Sequence, residues 1–95
     1  MPCIQVKTNV STSREKADAI KAALGQAIGY LPGKSEDWLM VSIEDGCHMY
    51  FGGRGGRPIA MVEVKILGSS IDKDGAKRMT GEITRVLGGV LGVSP

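Results

Sequence analysis

The chain opens with alternating apolar and polar residues and then changes to a helical spacing. The alternation over residues 2–8 predicts a half-buried strand, and Pro2 suits its first position because a strand can begin without that N–H. Thr12 followed by Glu15 is a capping-box pattern that predicts the start of a helix. The apolar stripe of this helix consists of Ala17, Ile20, Leu24, Ala27 and Ile28, and Gly29 is expected to end it.

The remainder of the chain contains three more segments of strand length and one more helical stripe. Strands are predicted over residues 38–43, 48–51 and 59–67, with a turn at residues 44–46 and a glycine-rich segment at residues 52–58. The first half of the last strand is almost wholly apolar, which is typical of a strand covered on both faces. The second helical stripe consists of Ala76, Met79, Ile83, Val86, Leu87 and Val90, and Gly88 with Gly89 is expected to interrupt it late.

The two halves of the chain repeat one pattern. Val6-Lys7 recurs as Val64-Lys65, and the apolar spacing of the first helix recurs in the second. Two pseudo-repeated βαβ units predict an α/β (α+β) fold in which a four-stranded sheet carries both helices on one face. The closing strand of the second unit would begin just beyond Pro95, so we expect that unit to be truncated at its last strand.

The second face of this sheet is expected to be bare. We expect it to be rich in Val, Ile and Met, and a domain of this size would need to cover such a surface. The pattern therefore predicts a symmetric oligomer whose sheets face inward.

Composition narrows the class of protein. The length predicts a single domain over residues 1–95, and 42% hydrophobic with 23% charged residues is typical of a globular chain. A net charge of +2 is too small to indicate binding to nucleic acid or to an anionic membrane. No apolar run has the length of a membrane span and no secretory signal opens the chain. We therefore expect a cytoplasmic protein, with non-classical secretion left open.

Three further features suggest other chemistry, and each has a plainer interpretation. Cys3 and Cys47 lack a paired spacing, which favours packing over a disulfide, and with His48 they are too few for a metal site. Residues 52–57 read Gly-Gly-Arg-Gly-Gly-Arg, a composition that binds single-stranded nucleic acid in other proteins. One copy beside only two aromatic residues, Tyr50 and Phe51, is weak support, so no nucleic-acid partner is expected.

Several segments together resemble one known family. They are Met1-Pro2-Cys3, residues 8–10, Gly33-Lys34, residues 38–41, residues 49–53 with Pro58, residues 62–68 and residues 92–95. Their order and spacing resemble the macrophage migration inhibitory factor family of the tautomerase superfamily, over the whole chain. The family's later strand, which carries further pocket residues, has no counterpart here. Its Cys-x-x-Cys pair also has none, because residues 59–62 read Ile-Ala-Met-Val.

The resemblance implies a homotrimer with active sites between neighbouring subunits. The implied activity is keto–enol tautomerisation of a phenylpyruvate-like or dopachrome-like acid, without metal or cofactor. Pro2 matches the family's N-terminal catalytic proline and Lys34 matches its pocket lysine. Leu67 occupies the position of a pocket aliphatic residue whose backbone contacts substrate, and Trp38 matches an aromatic residue at the pocket rim.

The chemistry of these residue types agrees with that implication. A tautomerase base should titrate near working pH, and a free α-amino group starts at about 7.7–8.0. An apolar pocket and a neighbouring Lys34 cation would both disfavour the protonated form of the Pro2 amine. Lys34 would hold a substrate carboxylate by charge-assisted hydrogen bonds. Removal of Met1 is required, because an acylated Pro2 nitrogen has no basic lone pair.

Alternatives remain at each position. Pro2 could be an inert strand starter, Lys34 a solvated loop lysine and Leu67 a core residue. For the whole protein, the alternative is a non-catalytic, cytokine-like binding protein of the same fold, with a receptor as its partner.

Overall fold

The computed structural model describes residues 2–31, 33, 35–66 and 73–93. It contains three strands, β1 (Cys3–Thr8), β2 (Met40–Glu44) and β3 (Ala60–Lys65), and two helices, α1 (Arg14–Ala27) and α2 (Lys73–Leu91). Two short 3₁₀ turns follow α1, at Ile28–Tyr30 and Glu36–Trp38. None of the helices described is long and apolar enough for a bilayer crossing. The fold is α+β, as the alternating periodicities predict.

The sheet is mixed, with β1 in its centre. The strand order is β2-β1-β3, with β2 parallel and β3 antiparallel to β1. Within the described ranges the sheet has three strands, and the four-stranded sheet remains a prediction. The predicted strand over residues 48–51 is wrong. Only Phe51 bridges to Arg54 there, across Gly52 and Gly53 with φ of 60° and 80°, because two left-handed residues turn the chain back at once.

One face of the sheet and both helices form the core. The register places Ile4 between Val41 and Val64. One step along, Val6 lies between Ile43 and Val62. Ile4 and Val6 are fully buried and pack with helix residues in one cluster. The buried helix residues of this cluster are Ile20, Leu24, Ala27, Met79, Ile83, Leu87 and Leu91.

The opposite face of the sheet is not the Val- and Ile-rich surface that we predicted. It carries Cys3, Gln5 and Lys7 of β1, flanked by their partners on β2 and β3. Those partners are Met40, Ser42, Glu44, Met61, Glu63 and Lys65. Because side chains alternate along a strand, the register that sends the branched residues to the helices leaves this face mostly polar. Exposed Met40 and Met61 are its large apolar side chains.

The ends of the helices differ from the prediction in two places. Ser13, not Thr12, caps α1, and its Oγ accepts a hydrogen bond from the Lys16 N–H at 3.2 Å. Helix α2 continues through Gly88 and Gly89 to Leu91. Packing overrides the weak helix propensity of glycine, at about 1 kcal/mol each, because Leu87 and Leu91 are buried on either side of the pair. Gly92, at φ 74°, then ends the helix.

Strand boundaries also shift. β2 begins at Met40 rather than residue 38, because residues 36–38 form the second 3₁₀ turn. β3 occupies the middle of the predicted segment at residues 59–67, and Leu67 lies outside the described residues. The pseudo-repeat and the truncated second unit remain predictions.

A polar clasp joins the end of β1 to the start of β3. The Asn9 side chain donates to the Arg57 carbonyl at 2.7 Å and accepts from the Ile59 N–H at 2.8 Å. Buried Thr8 adds a hydroxyl that donates to the Ile59 carbonyl at 2.8 Å. The amide of Asn9 thus acts as a further rung of the antiparallel ladder.

Replacing Asn9 tests this clasp. Asn9→Ala leaves the Ile59 N–H without its acceptor, so we expect a loss of about 1–3 kcal/mol in the free energy of unfolding, measured by urea titration. Asn9→Asp keeps the acceptor and should lose less. Gln26→Ala, at an exposed position on α1, is the control. Equal stability of Asn9→Ala and this control would contradict the assignment.

Asp45 ties the loop after β2 to the segment before α1. Its Oδ2 accepts from the Thr12 N–H at 2.7 Å and from the Thr12 hydroxyl at 3.0 Å. The hydrogen bond from the Thr12 backbone is the main cause of an Asp45 pKa below its usual value, and the Thr12 hydroxyl contributes next. The capping-box prediction failed because Thr12 makes this long-range contact instead.

The lowered pKa of Asp45 predicts a pH-dependent contribution to stability. A carboxyl with a lower pKa in the folded state stabilises the protein above its unfolded pKa, and that contribution is lost as pH falls through the folded value. We expect Asp45→Ala to lower the urea midpoint at neutral pH, and the difference from wild type to shrink in acid. Asp18→Ala, at an exposed acid on α1, controls for loss of a charge. A difference that is constant across this range would refute the role of the carboxylate.

Candidate functional site

Pro2 lies at the start of the central strand and is buried. Its carbonyl accepts a hydrogen bond from the Met40 N–H at 3.0 Å, which fixes the residue against the first residue of β2. Proline without an N–H fits there, since a strand can begin with a residue that donates no ladder bond. The prediction that residue 2 begins a strand is confirmed to within one residue, because β1 itself starts at Cys3.

Three chain segments meet around Pro2. Cys3 is paired with Met40 on one side and with Lys65 on the other. The start of β1, the start of β2 and the end of β3 therefore share one end of the sheet, which we call the proline end. Ile66, the residue after β3, is half-buried against the core.

Trp38 lies close in sequence to the proline end, on the 3₁₀ turn that precedes β2. Trp38 is 72% exposed, so it is not held in the core. The turn is closed by hydrogen bonds from the Trp38 N–H to the Ser35 carbonyl and from the Leu39 N–H to the Glu36 carbonyl. Only Leu39 separates Trp38 from Met40, whose N–H bonds to the Pro2 carbonyl. An exposed aromatic residue at this place is compatible with a rim and contradicts a role as a strand residue.

Two predicted site residues, Lys34 and Leu67, lie outside the described residues. The neighbours of Lys34 on both sides are described, and Gly33 is exposed with a φ of 75°. For Leu67, the chain that precedes it runs along β3 to the proline end. The structure therefore brings Pro2 and the segment with Trp38 together, and it leaves the roles of Lys34 and Leu67 as predictions.

The loop that carries Trp38 is anchored to α1 through Glu36. The Glu36 carboxylate covers the Cα of Gly25, where a larger residue would meet it, and pairs with the Lys21 ammonium at 3.7 Å. Both side chains of this pair are more than half exposed, so the ion pair itself contributes little. A side chain at position 25 would therefore have to displace the Glu36 carboxylate.

Sequence reasoning missed Met40 and Lys65 at the proline end. Lys65 donates to Glu63 at 3.0 Å, and this hydrogen bond is the main cause of a Lys65 pKa above its usual value, followed by the charge of Glu63. A cation thus stands beside Cys3, one residue from Pro2. The sequence shows the alternation along each strand. It does not show the register that places these residues side by side.

Within the described parts of the chain, no group of three or more His, Cys, Asp or Glu is placed to hold a metal ion. Both cysteines are free and half-buried, and the Cys47 thiol lies near the carbonyls of Glu44 and Asp45. His48 is exposed.

Comparison with known proteins shows which family this chain is similar to. The family model described as macrophage migration inhibitory factor (MIF) matches residues 1–95. No curated protein matches the chain at a significant level. The crystal structure of MIF2 from Leishmania major is 29% identical in sequence to this chain and superposes on it with a TM-score of 0.87. The match covers 98% of this chain and 78% of the Leishmania chain.

More distant structures share the fold. Macrophage migration inhibitory factor from Giardia lamblia is 24% identical, with 99% of this chain and 89% of that chain covered and a TM-score of 0.78. A macrophage migration inhibitory factor-like protein from Entamoeba histolytica is 14% identical, with 98% and 78% covered and a TM-score of 0.81. At these identities the similarity concerns the fold alone.

Gly33 and Gly29 provide a matched test of the loop that holds Lys34. Both are exposed, and at neither glycine would an added methyl group meet another atom within 4 Å, but only Gly33 has a positive φ. We expect Gly33→Ala to cost roughly 1–2 kcal/mol, since an L-residue is strained in the left-handed region. Gly29→Ala should be neutral or slightly stabilising. Equal unfolding free energies of the two variants would show that the φ of Gly33 does not set this loop.

Proposed function

The chain belongs to the macrophage migration inhibitory factor family, and from that premise we propose that it is a cofactor-free keto–enol tautomerase. The family is part of the tautomerase superfamily, which supports an isomerase activity in general terms. We propose a phenylpyruvate-like or dopachrome-like acid as the substrate. The observation that carries the proposal is the buried position of Pro2, at the end of the sheet and fixed by the Met40 N–H.

In this proposal the Pro2 nitrogen is the base, once Met1 has been removed. The neutral amine takes the hydroxyl proton of the enol while the carbonyl forms, and the resulting ammonium returns that proton to the neighbouring carbon. The proton transfers cancel, so no metal, oxidant or reductant is needed. Burial of the pyrrolidine ring supports a neutral amine, because an apolar environment disfavours the charged form.

Lys34, Leu67 and Trp38 are proposed as substrate-binding residues. Lys34 would hold the carboxylate by a charge-assisted hydrogen bond, and the Leu67 backbone would contact the substrate. Trp38 would cover the pocket at its rim, which its exposed indole on the turn before β2 supports.

We further propose that the active protein is a homotrimer with its sites at the subunit boundaries. Family membership supports a small oligomer. Exposed Trp38, Met40 and Met61 are large apolar side chains that a neighbouring subunit could cover. Because the open face of the sheet is mostly polar, covering a broad apolar face is not a reason for this oligomer. We also propose a cytoplasmic location.

A cytoplasmic enzyme is not the only function that this fold serves. A non-catalytic, cytokine-like binding protein is the second candidate, and the exposed hairpin around Gly52 and Gly53 favours it. Tyr50 and Phe51 are 70% and 80% exposed there, and such aromatic side chains are common at protein interfaces. The presence or absence of Pro2-dependent catalysis separates the two candidates.

The test begins with intact mass, which reports whether Met1 is present, and continues with conversion of enol phenylpyruvate to the keto form. We expect the processed protein to be active and Pro2→Gly to lose about a hundredfold or more in kcat, the lower end of the range for a general base. If Met1 is retained, treatment with a methionine aminopeptidase should raise activity. Processed wild-type protein no faster than Pro2→Gly would favour the binding protein.

Lys34→Ala separates binding from chemistry. We expect KM for the acid to rise about tenfold or more with a smaller change in kcat, since a charged hydrogen bond contributes about 1.5–3 kcal/mol. Lys77→Ala, at an exposed lysine of α2, is the matched control and should leave KM unchanged. Because Trp38 is the chain's one tryptophan, its fluorescence should follow substrate binding directly. An unchanged KM in Lys34→Ala would exclude Lys34 from the pocket.

A further inference from the structure

Ile66 follows β3 directly and lies opposite Pro2 in the register of the sheet. Cys3 pairs with Lys65 in the antiparallel ladder, so the next pair in the same order is Pro2 with Ile66. Residues that lie opposite each other share one face of a sheet, and this pair belongs to the face that carries the helices. Burial agrees with that placement, because Pro2 is buried and Ile66 is half-buried against the core.

The hydrogen-bond pattern of the ladder brings these two side chains close together. The Asn9 N–H donates to the Ile59 carbonyl at 3.2 Å, so residues 9 and 59 form a hydrogen-bonded pair. Hydrogen-bonded and non-hydrogen-bonded pairs alternate along an antiparallel ladder, which makes Pro2 with Ile66 a pair of the second kind. In such pairs the Cα atoms are only about 4.5 Å apart and the side chains are closer. The ladder with β3 therefore needs no hydrogen bond from the Pro2 nitrogen, and it sets Ile66 beside the ring.

Leu39 stands on the other side of Pro2. The parallel register pairs Cys3 with Met40, and one residue back it places Pro2 beside Leu39. The hydrogen bond from the Met40 N–H to the Pro2 carbonyl shows that this pairing extends to Pro2. Leu39 is half-buried and packs against the same core cluster as Ile66. Pro2 thus lies between two apolar residues from different segments of the chain.

The charged groups at the end of β3 lie on the other face of the sheet. Glu63 and Lys65 are on the open face, because their partners on β1 are Gln5 and half-buried Cys3. Both charged side chains are more than half exposed, and they pair with each other at 3.0 Å. The Lys65 ammonium would also disfavour a charged Pro2 amine, but its pairing with Glu63 offsets part of that effect.

The charged groups of the turn before β2 and of the two helices lie at the surface. Glu36 pairs with Lys21 of α1 at 3.7 Å, and Asp37 is exposed. Every charged residue of α1 and α2 is exposed apart from Glu82, which is half-buried and pairs with Arg85. The helices therefore turn apolar side chains toward the sheet.

We propose that Ile66 and Leu39 are positioning residues for the Pro2 base, acting as two apolar walls that exclude water from its amine and keep it uncharged. The inference rests on the proposed function, in which the neutral Pro2 nitrogen takes the enol proton. Exclusion of water disfavours the ammonium form of an amine, so the walls hold Pro2 in the state that the reaction requires. Neither residue needs to touch the substrate.

The Pro2 amine can be titrated directly, without a catalytic assay. In protein labelled with ¹³C-proline and freed of Met1, the ring carbons of Pro2 shift in the NMR spectrum when the amine is protonated. Pro32, Pro58 and Pro95 have acylated nitrogens, so they give no such signal near neutral pH. We expect the midpoint of the Pro2 titration in the wild type to lie below the roughly 7.7–8.0 of a free α-amino group.

Ile66→Thr and Ile66→Val form a matched pair, because threonine and valine have nearly the same shape and differ by one hydroxyl. The hydroxyl attracts water and accepts a hydrogen bond from the ammonium. The midpoint in Ile66→Thr should therefore lie at least about 0.5 pH unit above that in Ile66→Val, a modest part of the roughly 3–5 units that full burial can cause. Leu39→Asn should raise the midpoint as well. Val64→Thr introduces the same hydroxyl opposite Ile4 and should leave it unchanged.

Equal midpoints in Ile66→Thr and Ile66→Val, or an equal rise in Val64→Thr, would overturn the proposal. Each variant must show the circular dichroism of the wild type. If Ile66→Thr does not fold, an unchanged midpoint in Leu39→Asn would overturn the proposal instead.

Catalysis gives a second reading of the same titration. The acid limb of kcat/KM for enol phenylpyruvate should move to higher pH in Ile66→Thr and stay in place in Ile66→Val, since this limb reports the base of the free enzyme. Failure of the proposed function looks different. Midpoints that shift as expected in a protein without tautomerase activity would support the two walls and contradict the enzyme alone.

Discussion

The pairing of β1 on both of its edges is the constraint on which the structure depends. Ile4 and Val6 are fully buried because strands flank them on either side and the two helices cover them. A shift of register by one residue would turn Gln5 and Lys7 toward the helices and expose the branched residues. Burying the Lys7 side chain without a partner would cost far more free energy than burying the apolar side chain that it replaces. The apolar alternation of one short strand therefore holds the whole sheet in register.

The polar contacts at the edges of the sheet stabilise the same register. Asn9 extends the β1–β3 ladder beyond its last residue, and Asp45 joins the chain after β2 to the start of α1. Throughout the described ranges, every buried side-chain nitrogen or oxygen has a hydrogen-bond partner. In a small domain with a thin margin of stability, such complete pairing avoids penalties that the core could not offset.

The proposed chemistry follows from where the strand begins. The residue that starts the central strand is necessarily near the ends of both neighbouring strands. Pro2 is therefore buried, with residues of both strands nearby, without a loop dedicated to forming a pocket. The proline end gathers Pro2, Met40 and Lys65 from three different segments.

The amino-acid sequence by itself determined the type and order of the main elements, the α+β class and the candidates Pro2, Lys34, Leu67 and Trp38. Periodicity carries that information because it depends on residues that are close along the chain. Tertiary structure decided the register, the polar open face, the choice of Ser13 over Thr12 as cap and the unbroken course of α2. Each of these rests on partners far apart in sequence. Thr12 bonds to Asp45, and Leu87 and Leu91 offset two helix glycines because they are buried in one cluster with Ile4 and Val6. Such contacts form only when the chain is folded, so local patterns could not reveal them.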